Sequence, residues 1–217
     1  MDEFINEAWD ARDALLNGLT QTLAVSATSI VLGTLIGTVV GITLVYGSWP
    51  ARLVCRIYID ITRGTPVLVL VLAAFYMPSV FRMHLSAFWA GVLALTLFCG
   101  SHIGEMIRGA LRVIPPGQTE AGKAIGLRIF GVLGYVLIPQ ALRILMPPWI
   151  NTCVEIVKAS TLLSVIGVAE LLLRTQEIIG RNYLTLQFYL LAGLLYLAIN
   201  FSIEQAGKAL ERRVAYN

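Results

Sequence analysis

Charge is what this sequence has least of. Asp, Glu, Lys and Arg make up 13% of its 217 residues, against about 25% in an ordinary soluble domain. That leaves too little polar surface to coat a globule, so lipid is the expected solvent. The cations that remain are scattered, with a net charge of +3, and no basic stripe for nucleic acid exists. Cysteine is also scarce. Cys55, Cys99 and Cys153 each sit alone in apolar sequence without a CxxC or metal-ligand spacing, which reads as small hydrophobes rather than a metal or redox site. A basic leader is missing too. Met1 to Asp13 carries five acids and one Arg, the reverse of the n-region of a cleaved signal peptide.

What is present is apolar and long. The chain is 57% hydrophobic with a mean hydropathy of +0.77. No charged residue occurs from Ala14 to Ala51, Gly64 to Phe81, Met83 to Gly104, or Asn182 to Ile203. Crossing the hydrocarbon layer takes about 20 apolar residues. The expected fold is therefore an all-α integral membrane protein, a single transmembrane domain over 1–217, with about five transmembrane helices at 17–47, 55–81, 86–110, 137–158 and 183–207. Gly33, Gly37 and Gly41 recur every fourth residue and form a helix face that admits a close neighbour, either within the chain or in another subunit. The fourth span holds Arg143, Pro139, Pro147 and Pro148, so bends are expected there. The stretch from Lys158 to Arg181 is too broken to cross and reads as a short helix dipping into the outer part of the bundle.

Lys and Arg in the loops set the expected orientation. With the first loop, the loop before the fourth span and the C-terminus inside, nine cations are cytoplasmic: Arg52, Arg56, Arg108, Arg112, Lys123, Arg128, Lys208, Arg212 and Arg213. Four, Arg12, Arg82, Arg174 and Arg181, lie opposite. The N-terminus is then outside and the C-terminus cytoplasmic, and Trp9, Trp49 and Trp89 fall near span ends as interfacial anchors.

The third and fourth spans are joined by the longest cytoplasmic stretch, 112–134. Pro115 and Pro116 end the third span. Thr119 is then placed to cap a short helix with Glu120 in its first turn. From Ala121 onward, Ala121, Ile125 and Leu127 oppose Lys123 and Arg128 at helical spacing, a surface helix offering knobs to another protein. Gly117, Gly122 and Lys123 have the G-x-x-x-x-G-K spacing of a phosphate loop. Ala124 stands where such a loop needs Ser or Thr, and prolines replace the strand before it, so nucleotide binding is not expected.

This stretch resembles the permease subunits of bacterial binding-protein-dependent ABC importers, whose cytoplasmic motif is E-A-A, three residues, G, nine residues, I-x-L-P. Glu120, Ala121, Gly122, Gly126, Val136, Ile138 and Pro139 keep those spacings, with Gly122, Val136 and Ile138 as conservative departures. The polar amino-acid branch is resembled further. Arg63-Gly64-Thr65-Pro66 matches its RGTP, Glu105 with Arg108-Gly109 its A-E-x-x-R-G, Ile114-Pro115 with Gly117-Gln118 its I-P-x-G-Q, and Lys158 to Leu172 its K-D-T-S-L-x-S-x-I-G-V-x-E-L-L. Gly18, Leu19, Thr22 and Leu23 match the entry to its first span. The resemblance covers about residues 18–213. It implies a type I importer half, paired with a second permease subunit (the same or different), two cytosolic ATPases and an extracytoplasmic amino-acid-binding protein, in the bacterial inner membrane. The chain would be non-catalytic and bind no cofactor or metal. ATP and Mg would sit on the ATPase, docked on Glu120, Ala121, Gly122, Lys123, Gly126 and Pro139. The two departures in the branch motifs are Ala159, where the branch has Asp, and His102, where it commonly has Tyr.

Charged groups inside a bundle are costly and pair or line a wet path. Asp60 with Arg63, Glu105 with Arg108, and Glu155 with Lys158 are each three apart and so can pair. The first two read as structural braces. Glu155 and Lys158 flank the dip, where a brace and a substrate-path role fit equally. His102, Ser160 and Thr161 either hydrogen-bond a polar ligand or satisfy the local backbone. Three other functions compete with amino-acid import: the same architecture carrying an opine, methionine or a compatible solute; a stand-alone secondary carrier or channel, which calls for inverted repeats that are not evident; and a non-transporting membrane assembly protein.

Overall fold

The structure, a computed structural model, describes residues 2–215, with side chains from Glu3 to Arg212. Arg213, one of the cations counted above, has its side chain outside that range. Every regular element among the described residues is helical. A short α1 (Asp2–Asp10) leads into the long α2 (Arg12–Tyr46). There follow α3 (Trp49–Gly64), α4 (Val67–Val80) and α5 (Ala87–Val113), then α6 (Pro116–Ala124) and α7 (Ile129–Val132). A π-helical turn (Leu133–Leu137) joins α7 to α8 (Ile138–Ala159). A 3-10 turn (Ser160–Ile166), α9 (Leu171–Asn182) and α10 (Thr185–Ala215) complete the chain.

Four of these elements are long and apolar enough to cross a membrane: α2, α5, the continuous stem from Ile129 to Ile166, and α10. The expected second span, 55–81, is not one straight helix. It is the pair α3–α4, bent by 110°. Pro66 is the cause. It pushes the preceding residue out of helical geometry, and Thr65 is extended at φ −103°, ψ 133°. The 14 residues of α4 reach about 21 Å, short of the ~30 Å hydrocarbon layer. The fourth span also begins earlier than the expected residue 137, because the stem is already helical from Ile129. Pro147 and Pro148 lie inside α8 without ending it.

The core is built around α5. Its Ala90, Leu95, Cys99, Ile103 and Ile107 are buried. The glycine face of α2 packs against it, which decides between the two neighbours expected for that face. A Cβ on Gly33 would stand 2.6 Å from Cys99 Cβ, one on Gly37 2.7 Å from Ile103 Cβ, and one on Gly41 2.6 Å from Ile107 Cβ. From the other side, a Cβ on Gly104 would meet Val40 Cγ1 at 2.9 Å. Only glycine lets the two backbones approach this closely. Outside this seam, the 3-10 turn and the short helix α9 stand where the dip after Lys158 was expected. The 3-10 turn closes on Gly167, left-handed at φ +82°. Gly167 N–H bonds Ser164 O at 3.1 Å and Val168 N–H bonds Leu163 O at 3.1 Å.

Candidate functional site

The loop between α5 and the stem is folded around α6. Pro116 occupies its first turn and Pro115 its N-cap. Proline's fixed φ suits that place and its missing N–H costs nothing there. This corrects the expected start: Thr119 is not the cap, and Glu120 lies beyond the first turn. The helix also stops sooner than the periodicity implies. Gly126 is left-handed at φ +85°. Its N–H bonds Lys123 O at 2.9 Å, and Leu127 N–H bonds Gly122 O at 3.1 Å, the paired bonds of a Schellman cap. A motif glycine four residues after Gly122 is thus a backbone requirement.

One face of α6 lies on the stem. Gly122 is buried, and a Cβ on it would stand 3.0 Å from Val132 Cγ2 and 3.5 Å from Val136 Cγ2. Gln118, one turn earlier, meets Gln140 of α8 at 3.2 Å. The opposite face, with Glu120, Lys123 and Ala124, is exposed, as is Ala121. Ile125 is 77% exposed, an apolar knob beside charged groups. Pro139 is exposed as well, but on α8 rather than on α6. Gly117 to Lys123 is helix with no strand before it, so the phosphate-loop spacing has no phosphate-loop geometry.

The paired carboxylates behave differently from one another. Arg108 Nε donates to Glu105 Oε2 at 2.8 Å, and its second nitrogen reaches the other oxygen of the same carboxylate. The expected Asp60–Arg63 pair is not formed. Both residues are exposed near the end of α3, where an ion pair gains little over water. Asp60 instead borders a recess of about 270 Å³ with Arg56, Glu105 and Arg108. The Glu155–Lys158 pair is absent too. Both side chains are exposed, and with Asn151 they repeat at i, i+4 and i+7, so one face of α8 carries an amide, a carboxylate and an ammonium. Uncovered groups of that kind are expensive inside a membrane. Ser160 does not join this face. It is fully buried and its hydroxyl donates to Val157 O at 2.8 Å. Thr161 donates to Lys158 O at 2.7 Å and is half-buried. His102 Nδ1–H donates to Phe98 O at 3.0 Å, and its ring packs 4.3 Å from that of Phe98.

One buried carboxylate went unread in the sequence. Glu170 has no exposure. It caps α9 by accepting from Leu172 N–H at 3.0 Å and Leu173 N–H at 2.8 Å, and it accepts the Tyr196 hydroxyl of α10. Thr22 of α2 accepts from Leu171 N–H at 3.1 Å. The start of α9 is thereby pinned to α2 and α10 at once. The clue was local: an acid directly before the apolar run Leu171-Leu172-Leu173, at an N-cap position.

A bundle of long apolar helices with an exposed short helix on the loop between α5 and the stem, all helical among its described residues, is a multi-pass membrane protein in class. The family of binding-protein-dependent transport system inner membrane components matches residues 29–216, and the chain belongs to that family. It is 35% identical over 208 residues to the glutamine transport system permease protein of Escherichia coli K12, covering 95% of each chain. To the L-cystine transport system permease protein of Bacillus subtilis 168 it is 33% identical over 201 residues, 92% of this chain and 86% of that one. To the octopine transport system permease protein of Rhizobium radiobacter it is 31% identical over 212 residues, 94% and 86%. A crystal structure of an amino acid ABC transporter with histidines superposes with a TM-score of 0.85 at 30% identity, covering 93% and 94%. An inward-facing methionine ABC transporter shares the fold, with a TM-score of 0.80 at 23% identity over 93% and 96%. The protein is a multi-pass inner-membrane permease.

Proposed function

We propose that this chain is one membrane half of a type I ABC importer for a polar or charged amino acid. The observation that carries this reading is α6: a short helix with Glu120, Lys123, Ala124 and Ile125 exposed, held by the Gly126 cap and seated on the stem through Gly122. Such a helix suits a cleft on a separate cytosolic ATPase, which would bind the ATP and Mg. This chain would hydrolyse nothing and hold no cofactor. It would supply a bistable bundle whose inward- and outward-open states are biased by the ATPase and by an extracytoplasmic binding protein. The orientation that fits is N-terminus outside and C-terminus cytoplasmic, which puts Glu120 and Lys123 on the ATPase side.

The substrate class follows from α8. Asn151, Glu155 and Lys158 need cover from water, from a polar ligand or from a second permease subunit. A path along this face would pass Glu155 and Lys158, groups of opposite sign that complement an ammonium and a carboxylate. Relatives named for glutamine and L-cystine support an amino acid. A relative named for octopine supports an opine as the second reading. The test is Glu120→Lys in the complex of permease, ATPase and binding protein. The variant is expected to insert normally and lose uptake while ATP hydrolysis becomes independent of the binding protein. Wild-type uptake would remove the docking assignment.

A further inference from the structure

The face of α6 that meets the stem ends in a single polar bond. Gln140 Nε2 donates both to Gln118 Oε1 at 3.2 Å and to Val136 O at 2.9 Å. Among the described residues no other side-chain hydrogen bond joins α6 to another helix. Gln118 and Gly122 are one turn apart on α6. Val136 and Gln140 are one turn apart on the stem. The two helices therefore meet at matched positions, one by packing and one by hydrogen bonding.

That contact falls on the π-helical turn of the stem. Leu133–Leu137 is π-helical, and the Ile138 N–H reaches back to Leu133 O. Pro139 follows and has no N–H to give. A π turn carries one residue too many for an α-helix and is a common site of functional adjustment. Beyond it α8 runs unbroken to Ala159. Glu155 therefore rides the same rod as Gln140, about 22 Å further along.

We propose that Gln118 and Gln140 form the bracket through which movement of α6 is passed to the π turn and on to α8, making both positioning residues for transport. The inference rests on α6 being the helix that docks the ATPase. Packing of Gly122 on Val132 and Val136 resists compression, and residues 125–128 tether the last turn of α6 to the stem, which leaves its first turn to the glutamine bond. The glutamine bond acts in both directions, and through Val136 O it grips the π turn itself. It is a weak bond by itself, so its loss disturbs coupling rather than folding.

The test uses the whole complex in proteoliposomes, with a mixture of the twenty radiolabelled L-amino acids as the probe. It reads ATPase co-purification, ATP hydrolysis and amino acid imported per ATP. Gln118→Ala and Gln140→Ala are expected to keep the first two within about twofold while import per ATP falls about five-fold, the equivalent of one hydrogen bond. Gln118→Glu keeps an acceptor for Gln140 and is expected to restore the wild-type ratio. A merely structural bond would lower co-purification or the melting temperature and leave the ratio fixed. Wild-type import per ATP in both alanine variants, or loss of the ATPase from them, overturns the bracket. Glu120→Lys is run alongside. If it is wild type, the docking reading fails; if it is defective while the glutamine variants are normal, the bracket alone fails.

Discussion

Two glycines of the loop between α5 and the stem make opposite demands, and substituting each by alanine separates them. At Gly126 there is room for a side chain, since a Cβ would meet nothing within 4 Å. The obstacle is the backbone, at φ +85°. Holding an L-residue there costs roughly 1–2 kcal/mol, which lowers the population of the capped helix by up to about five- to thirty-fold. If the ATPase recognises the capped form, its apparent affinity falls by the same factor. At Gly122 the backbone is helical and the obstacle is space, 3.0 Å to Val132 Cγ2. That neighbour is a side-chain methyl which can give by a few tenths of an ångström. Alanine also gains about 1 kcal/mol of helix propensity over glycine. Gly122→Ala is therefore expected to be neutral or slightly stabilising, Gly126→Ala to weaken docking, and Gly126→Asn, which tolerates the left-handed region, to fall between. Binding of the purified ATPase to the permease in nanodiscs, followed by interferometry, measures all three. Equal affinity for Gly126→Ala and wild type, or a larger loss at Gly122 than at Gly126, would show that the left-handed backbone at Gly126 does not govern binding.

Three further perturbations probe the rest of the bundle. Glu170→Ala strands Leu172 N–H, Leu173 N–H and the Tyr196 hydroxyl. It is expected to cost about 2–4 kcal/mol, read as a lower melting temperature in detergent, whereas Glu170→Gln, which keeps an acceptor, loses less. Gly37→Ala forces a Cβ to within 2.7 Å of Ile103 Cβ and 2.8 Å of Gly100 O. Overpacking of this kind costs about 1–3 kcal/mol, and the yield of folded permease by size-exclusion fluorescence should drop, while Gly180→Ala, with nothing within 4 Å, should leave it unchanged. Glu155→Gln is expected to raise the substrate concentration for half-maximal uptake without altering assembly. Unchanged uptake kinetics would return Glu155 to a structural role.

The spans were legible because lipid imposes a coarse rule: long stretches without charge cross the membrane. The same rule hid the break at Thr65-Pro66, since the apolar composition runs on through Val67 and Leu68 while proline chemistry turns the chain by 110°. The glycine repeat of α2 announced a close helix but not which one. Spacing overcounted ion pairs. Three pairs at i, i+3 looked alike, yet only Glu105–Arg108 forms, the partly buried one, where less water competes. At α6 a short helix was readable after the two prolines, but its start and stop depended on backbone details, Pro116 at the first turn and Gly126 at φ +85°. The cap at Glu170 has a local signature, but the Glu170–Tyr196 and Gln118–Gln140 bonds join residues 26 and 22 positions apart, and no local pattern reports a contact of that range.

The most direct measurement concerns the source of energy. Proteoliposomes would hold this permease with its binding protein, with and without the ATPase, and with ATP or an imposed proton or sodium gradient. Amino-acid uptake is expected only when ATPase and ATP are both present. Uptake driven by an ion gradient through the permease alone would instead make the chain a stand-alone carrier.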